Sequence, residues 1–188
     1  MKKIKVPTIE TDRLYLRMWN RKDAAELYAY AKNPNVGPHA GWKPHESEAE
    51  SRMIINTLFL PNLCWAMVDK ETGRLIGSIG LETDKFRPDV NSRELGYSLA
   101  EEYWGRGLMT EAAKRLIVYA FETMHLDVLM IRTGDRNLRS QRVIEKCGFV
   151  YEGTLRRTYR IYDGSIREVR CYSMLSEEYT LLRQAGTL

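Results

Sequence analysis

The sequence has few cysteines and no long apolar run. Its 188 residues include three cysteines, Cys64, Cys147 and Cys171, which are widely spaced and form no Cys-x-x-Cys pair, so neither a disulfide framework nor a zinc cluster is indicated. No run approaches the roughly 18 apolar residues of a membrane span, and the first residues lack the apolar stretch of a secretory signal. We therefore expect a cytoplasmic protein without a membrane partner.

Neither sign of charge dominates the composition. The formal net charge is +4, and the chain is 44% hydrophobic and 29% charged, which excludes a disordered protein and fits one globular domain over residues 1–188. A mild positive charge suits an anionic small ligand as well as a nucleic acid. The three histidines lack metal-ligand spacing, so we expect no metal site.

Two phosphate-binding signatures are also missing. The motif Gly-x-x-x-x-Gly-Lys-Ser/Thr occurs nowhere, which excludes a phosphate-loop NTPase. The dinucleotide motif Gly-x-Gly-x-x-Gly is incomplete because Thr110 stands at its third glycine, which disfavours a dinucleotide-binding fold.

Hydrophobic periodicity predicts short strands alternating with helices. The strongest pattern is an apolar stripe of helical spacing over residues 108–121. The same periodicity places Met18 on the apolar face of the first strand, and it places Met53 and Leu58 on the apolar face of the second helix. The predicted elements are helices at 22–32, 46–60, 108–121 and 137–146, strands at 14–19, 93–99 and 128–131, and hairpins of 64–68 with 74–81 and of 160–161 with 167–175.

A glycine pair stands where the strand at 93–99 gives way to the helix at 108–121. Gly105 and Gly107 flank Arg106, and glycines in such a turn let the backbone approach a phosphate that the first free amides of the helix can bind. The alternative is that both glycines only permit a tight turn.

Glu94 lies on the same face of its predicted strand as Gly96, two residues further on. Because side chains alternate along a strand, the carboxylate stands beside a position with no side chain, and space is left next to it. The alternative is an ordinary solvated carboxylate.

Four ordered motifs resemble the GNAT superfamily of acyl-CoA-dependent N-acyltransferases, and more narrowly its RimJ/RimL-type branch. They are Glu94-Leu95-Gly96-Tyr97, Tyr103 to Ala112, Asn137-Leu138-Arg139-Ser140 and Gly148-Phe149, and the similarity extends to Thr11-Asp12-Arg13-Leu14 and Gly41-Trp42. The resemblance implies a mixed, mainly antiparallel central sheet flanked by helices and splayed between the strands at 93–99 and 127–133.

The resemblance also implies where acetyl-CoA, the co-substrate, would bind. Backbone groups from Tyr97 to Leu99 would hold the pantetheine arm, and Asn137 would bond the same arm or serve only as a helix N-cap. The turn would hold the pyrophosphate through Gly105, Arg106, Gly107, Leu108, Met109 and Thr110. One departure from the usual pattern is Glu102, where the superfamily has Gln or Arg.

For catalysis, the resemblance implies Glu94 as a base acting through water and Ser140 as a hydrogen-bond donor to the departing thiolate. Ser140 carries this role because Ile144 stands where many members place a tyrosine acid. Alternatively, Ser140 is an ordinary polar residue of a short helix.

The acceptor implied by the branch is a protein N-terminal α-amine, on a ribosomal protein for example, with a small-molecule amine such as an aminoglycoside or polyamine as the alternative. His39 and Trp42 lie in a loop that would contact it, or that is simply ordered surface. Four arginines cluster around the helix at 137–146, namely Arg132, Arg136, Arg139 and Arg142. They either form a solvated basic face or contact the 3′-phosphate of coenzyme A. A homodimer is a further expectation; RNA binding is disfavoured, and a non-catalytic coenzyme A or RNA binder is the rival class.

Overall fold

The computed structural model describes residues 4–188 and contains one eight-stranded sheet. The strand order is β1-β2-β3-β4-β5-β6-β8-β7. The pairs β1–β2, β2–β3, β3–β4, β6–β8 and β7–β8 are antiparallel, and β5 pairs with β6 in parallel. The strands are β1 (Ile9–Glu10), β2 (Leu14–Met18), β3 (Leu63–Asp69), β4 (Leu75–Thr83), β5 (Ser92–Leu99), β6 (Val128–Gly134), β7 (Val150–Arg160) and β8 (Ile166–Leu175). The expected mixed, mainly antiparallel sheet is confirmed.

Six α-helices accompany these strands in the described residues. They are α1 (Ala24–Ala31), α2 (Gly37–Ala40), α3 (Glu48–Ile54), α4 (Leu108–Val118), α5 (Leu138–Lys146) and α6 (Ser176–Gln184). Both α3 and α4 continue into a π-helical turn, at Ile55–Phe59 and Tyr119–Thr123. The chain packs as two compact units. The single domain expected over residues 1–188 stays a prediction.

The first unit comprises the described residues up to Leu81 together with Tyr97–Leu108. Its core contains two fully buried tryptophans, Trp19 and Trp65. Trp19 packs on Phe59 with ring centroids 4.6 Å apart, and the Trp65 indole donates a hydrogen bond of 2.8 Å to the Pro7 carbonyl. The predicted hairpin is confirmed by the antiparallel pairing of β3 with β4. Gly73 lies in its turn with a φ of 68°, which glycine adopts readily.

The second unit comprises Glu82–Gly96 and Met109–Leu188. Its buried β6 pairs in parallel with β5 from Ser92–Val128 to Leu95–Ile131, while both strands continue beyond the paired stretch. On its other edge β6 pairs antiparallel with β8, and β8 pairs with β7. The all-apolar run expected to form a buried strand is confirmed in β6.

Several predicted elements differ from the structure. The region after residue 149 holds a longer hairpin, in which β7 begins at Val150, and a C-terminal helix, α6, that sequence periodicity missed. The loop expected after Asn33 contains the single-turn helix α2, and β4 extends to Thr83, into residues predicted as loop. The short strand β1 was not predicted either, because two residues carry no periodicity.

The apolar faces predicted for β2 and α3 were wrong in part. Met18, Met53 and Leu58 are exposed. The buried side of α3 instead carries Ser51, whose hydroxyl forms a hydrogen bond of 2.7 Å with the buried ring of His45. Ser51 can be buried at little cost because its hydroxyl has this partner.

Candidate functional site

The glycine turn, residues 105–107, connects a short 3₁₀ turn at Glu101–Tyr103 to α4. Gly105 and Gly107 have φ values of 77° and 78°, the left-handed region that favours glycine. Both are exposed, and no heavy atom outside the immediate chain neighbours would lie within 4 Å of a Cβ on Gly105. Gly105 therefore leaves room for a ligand to approach the backbone, whereas Nη2 of Arg13 lies 3.6 Å from where a Cβ on Gly107 would stand.

The first turn of α4 follows directly. The amides of the first helical residues have no partner four residues earlier within a helix, and they carry the positive end of the helix dipole. The side chains of Leu108 and Met109 are buried, each 5% exposed, so these two residues offer backbone groups rather than side chains. Amides at the start of a helix, beside two glycines, are the kind of backbone surface that can bind an anion such as a pyrophosphate.

Two contacts involve the glycine turn, and a third involves Trp104, the residue before it. Arg13 donates from Nη1 to the Arg106 carbonyl at 3.0 Å, and the Arg106 guanidinium lies 5.0 Å from the centre of the Tyr103 ring. The Trp104 indole donates to the Leu99 carbonyl at 2.8 Å. Sequence reasoning missed the part played by Arg13, although it stands in the quoted motif at residues 11–14.

A cavity of about 230 Å³ adjoins the turn. Its lining carries cations and carboxylates together, from Asp12, Arg13, Asp69, Lys70, Glu71, Tyr103, Arg106 and Leu108. The Lys70 amide donates to the Arg13 carbonyl and its Nζ to the Thr11 carbonyl, at 2.9 and 2.6 Å. The segment that carries Arg13 is thus fixed to the β3–β4 turn.

The strand segment expected to hold pantetheine is only partly accessible. Tyr97 is half-buried, whereas Leu99 is buried and its carbonyl already accepts the Trp104 indole. Between them, the Ser98 hydroxyl bonds Ser78 at 2.9 Å and Tyr30 at 3.3 Å. Burial raises the pKa of Tyr30 to about 12, so this phenol stays protonated and acts as a structural hydrogen-bond group.

Glu94 and Arg132 form a bidentate ion pair. Nε and Nη2 of Arg132 each donate to one Glu94 oxygen at 2.8 Å, and the two side chains are 14% and 27% exposed. The placement of Arg132 on a solvated basic face was wrong; Arg136, Arg139 and Arg142 are exposed as expected. Sequence periodicity could not find the pair, because it depends on the register of β5 against β6.

Glu82 is a second carboxylate that sequence reasoning missed. Its Oε1 lies 3.6 Å from where a Cβ on Gly96 would stand, so the space predicted beside Glu94 exists and Glu82 approaches it. Glu82 is exposed to solvent. Desolvation by the surrounding protein and the charge of Glu94 nevertheless raise its pKa, while Lys85 and Arg132 lower it by smaller amounts. We name Glu82, Glu94, Gly96 and Arg132 the carboxylate cluster.

Asn137 is the N-cap of α5, as one of its two predicted roles requires. Its Oδ1 accepts the Ser140 amide at 3.2 Å, so the two residues expected near the thioester are adjacent. Ser140 is half-buried, and Ile144 is 1% exposed in the core. No acid can act from position 144, which leaves Ser140 as the hydroxyl of this helix.

The loop expected to contact the acceptor has an evident structural role. Trp42 lies against His45, with ring centroids 5.1 Å apart, and so close to Gly37 that a Cβ there would come within 2.8 Å of it. Burial lowers the pKa of His45, so this ring is neutral at neutral pH. His39 is exposed on α2, and contact of His39 or Trp42 with an acceptor stays a prediction.

Within residues 4–188, no group of three or more His, Cys, Asp or Glu side chains could hold a metal ion. Over the same residues, no helix combines the length and apolar character needed to cross a membrane.

A mixed sheet with a glycine turn before a helix is the arrangement expected from the resemblance to acyl-CoA-dependent N-acyltransferases. Residues 13–150 match the family described as an acetyltransferase (GNAT) domain, so the protein belongs to the GNAT acetyltransferases. It is an N-acetyltransferase, and members of this family use acetyl-CoA. The expected RimJ/RimL-type branch is consistent with its relatives.

Three relatives illustrate the range of the family. N-acetyltransferase p20 of Bacillus licheniformis is 29% identical over 92% of this chain and 98% of its own. The [ribosomal protein uS5]-alanine N-acetyltransferase of Escherichia coli is 27% identical over 92% of both chains. The spermidine N(1)-acetyltransferase of Vibrio cholerae is 25% identical over 88% of this chain and 95% of its own.

The fold has close counterparts among solved structures. The GNAT-family acetyltransferase from Bacillus anthracis superposes with a TM-score of 0.82 at 22% identity, over 92% of this chain and 100% of that one. At that identity, the likeness establishes the fold alone.

Proposed function

We propose that this protein transfers the acetyl group of acetyl-CoA to a protein N-terminal α-amine. The observation that carries the donor half of the proposal is the glycine turn, whose two left-handed glycines stand directly before the first residues of α4. Its backbone would bind the pyrophosphate, with Arg106 adding a positive charge. Gly105, Gly107, Leu108, Met109 and Thr110 act through their backbone alone.

The pantetheine arm would be bound by hydrogen bonds of two kinds. Backbone groups of Tyr97 to Leu99 supply the first, with the Leu99 carbonyl shared with Trp104. The side-chain amide of Asn137 supplies the second, while its oxygen caps α5. The Leu99 carbonyl oxygen has two lone pairs, and the Asn137 side chain has an acceptor oxygen and a separate NH₂ donor, so both arrangements are chemically consistent.

The chemistry needs a proton acceptor for the amine and a donor for the thiolate. We propose that the carboxylate cluster supplies the acceptor, Glu94 being the base expected from the sequence, and that the Ser140 hydroxyl hydrogen-bonds to the sulfur as the C–S bond breaks. An α-amine has a pKa of about 8 and a lysine amine about 10.4. A single carboxylate base therefore suits an α-amine better than a lysine amine, because a smaller fraction of the α-amine is protonated at neutral pH.

Two observations bear on the acceptor. The Escherichia coli relative acts on the alanine of a ribosomal protein, which favours an N-terminal peptide here. The Vibrio cholerae relative acts on spermidine, which makes a polyamine the second candidate. A protein that binds coenzyme A without turnover is the rival to both.

Titration calorimetry with acetyl-CoA, followed by thiol release in the same preparation, tests the proposal. The acceptor panel pairs peptides starting with Ala or Ser with their N-terminally blocked forms, alongside spermidine and an aminoglycoside. We expect binding, and turnover only with the free-amine peptides. Turnover confined to spermidine would replace the acceptor, and binding without any turnover would favour the non-catalytic rival.

A further inference from the structure

Two carboxylates of the cluster stand on neighbouring strands in different surroundings. Glu94 is 14% exposed and gives both oxygens to Arg132 at 2.8 Å. A carboxylate held in this way has both oxygens engaged in a charge-assisted bidentate contact, which fixes its orientation. Glu94 is thus held in place by Arg132 rather than free to turn toward an incoming amine.

Glu82 has the opposite properties. It is exposed to solvent at the end of β4, and its Oε1 lies 3.6 Å from the space above Gly96. A proton acceptor must be within reach of solvent or substrate in order to take a proton and release it again. Gly96 places no side chain in that space, and a Cβ there would lie in ordinary van der Waals contact with the Glu82 oxygen.

We propose that Glu82 is the group that takes the proton from the acceptor amine, and that Glu94, fixed by Arg132, is a positioning residue that keeps a negative charge on the neighbouring strand. This inference rests on the proposed function, since it names the base of the same reaction. It revises the assignment of Glu94 from base to positioning residue.

The proton balance is simple. Glu82 accepts one proton from the ammonium form of the amine; the neutral nitrogen then forms the C–N bond with the thioester carbonyl carbon, and the C–S bond breaks. The second proton lost by the nitrogen goes to the coenzyme A sulfur, assisted by Ser140, which yields an amide and a free thiol. Glu82 returns its proton to water, so one proton is released for each ammonium acetylated.

The groups facing Glu82 come from three directions. Desolvation by the surrounding protein raises the pKa of Glu82 most, and Glu94 on β5 raises it further, while Lys85 from the following loop and Arg132 on β6 lower it. Because the pKa of Glu82 lies above its ordinary value of 4.5, activity should fall as the pH drops through that raised pKa. Neutralising Glu94 should shift this acid limb to lower pH.

The experiment compares Glu82→Gln, Glu94→Gln and the control Glu177→Gln, which alters an exposed carboxylate of α6. Thiol release is measured from pH 5 to 10 with saturating acetyl-CoA and the best peptide acceptor. We expect Glu82→Gln to lower kcat about 100-fold at neutral pH, to lose the acid limb, and to recover partly above the pKa of the amine, where no base is needed. The affinity for acetyl-CoA should be unchanged.

Glu94→Gln should retain an acid limb, shifted to lower pH, with a smaller loss of kcat. The opposite pattern, in which Glu82→Gln keeps both rate and acid limb while Glu94→Gln loses them, would overturn the proposal. A loss in Glu82→Gln that is equal at every pH would do so too, because it would indicate a structural effect.

One readout does not depend on activity. Carboxyl NMR of the free protein should show Glu82 titrating above its ordinary value and moving down in Glu94→Gln. A Glu82 that titrates at or below that value overturns this inference even in an active enzyme. A wild-type chain that neither binds acetyl-CoA nor releases thiol would instead refute the proposed function.

Discussion

The glycine turn and the carboxylate cluster differ in the groups that they present to a ligand: backbone amides in the turn, and charged side chains in the cluster. The turn offers backbone amides that carry no titratable proton in the working pH range, so the anion binding proposed for these amides would not depend on their protonation. The cluster consists of side chains whose charges depend on one another, and Glu82 responds to both Glu94 and Arg132. Substitutions in the turn should therefore alter binding, whereas substitutions in the cluster should alter stability and pH dependence.

The largest effect is expected for Arg132→Leu. It leaves the Glu94 carboxylate, only 14% exposed, without its bidentate partner, and an uncompensated part-buried charge should lower the free energy of unfolding by about 2 kcal/mol. Urea denaturation measures this loss.

The matched control is Arg136→Leu, since that side chain is 85% exposed and should have little effect. The double variant Glu94→Gln with Arg132→Leu should recover much of the loss. A double variant as unstable as Arg132→Leu alone would show that the ion pair is not its cause.

The next largest effect is expected for Gly107→Ala. An L-residue at a φ of 78° costs about 1–2 kcal/mol, and relaxing this strain would misalign the amides, so affinity for acetyl-CoA should fall about tenfold. Calorimetry gives the affinity. Gly73→Ala imposes similar strain in a hairpin turn and should reduce stability with no loss of affinity; equal affinity losses in both would argue against a binding role of the turn.

A smaller effect is expected for Arg13→Gln, which removes the hydrogen bond to the Arg106 carbonyl. We expect the KM for acetyl-CoA to rise about fivefold, or about 1 kcal/mol, with kcat unchanged. The exposed Arg74→Gln serves as control. With acetyl-pantetheine, which has no pyrophosphate, the difference from wild type should disappear; its persistence would indicate a role of Arg13 outside the turn.

The smallest effect separates the two roles of Asn137. Asn137→Ala should cost about 1 kcal/mol of stability through loss of the N-cap, whereas Asn137→Asp keeps the cap oxygen and loses the amide donor. We expect Asn137→Asp to be as stable as wild type, with a KM for acetyl-CoA raised two- to threefold. An unchanged KM would limit Asn137 to capping.

The glycine turn could be predicted from the sequence because its determinants are local. Two glycines followed by an apolar stripe specify both the left-handed residues and the start of α4, and the structure places each within a residue of its expected position. The contact with Arg13 could not be predicted, since it joins residues 93 positions apart.

The carboxylate cluster was predicted only in part, for a physical reason. Periodicity placed Glu94 beside Gly96, but which residue of β6 lies opposite depends on a register that pairs Glu94 with Met130 and thereby brings Arg132 within reach. Glu82 was missed because β4 extends two residues past its last apolar position. Similarly, α6 escaped notice because its exposed Leu181 and buried Tyr179 do not form a clear stripe.

The bonds from Arg13 and Trp104 also have an entropic consequence. Glycines have the greatest freedom in an unfolded chain, and fixing one residue's backbone costs about 1–2 kcal/mol. Because the turn is tied down by contacts within its own compact unit, this ordering is completed during folding. A donor would therefore meet a preorganised surface, and its association would be governed by diffusion and desolvation rather than by a loop that must first close.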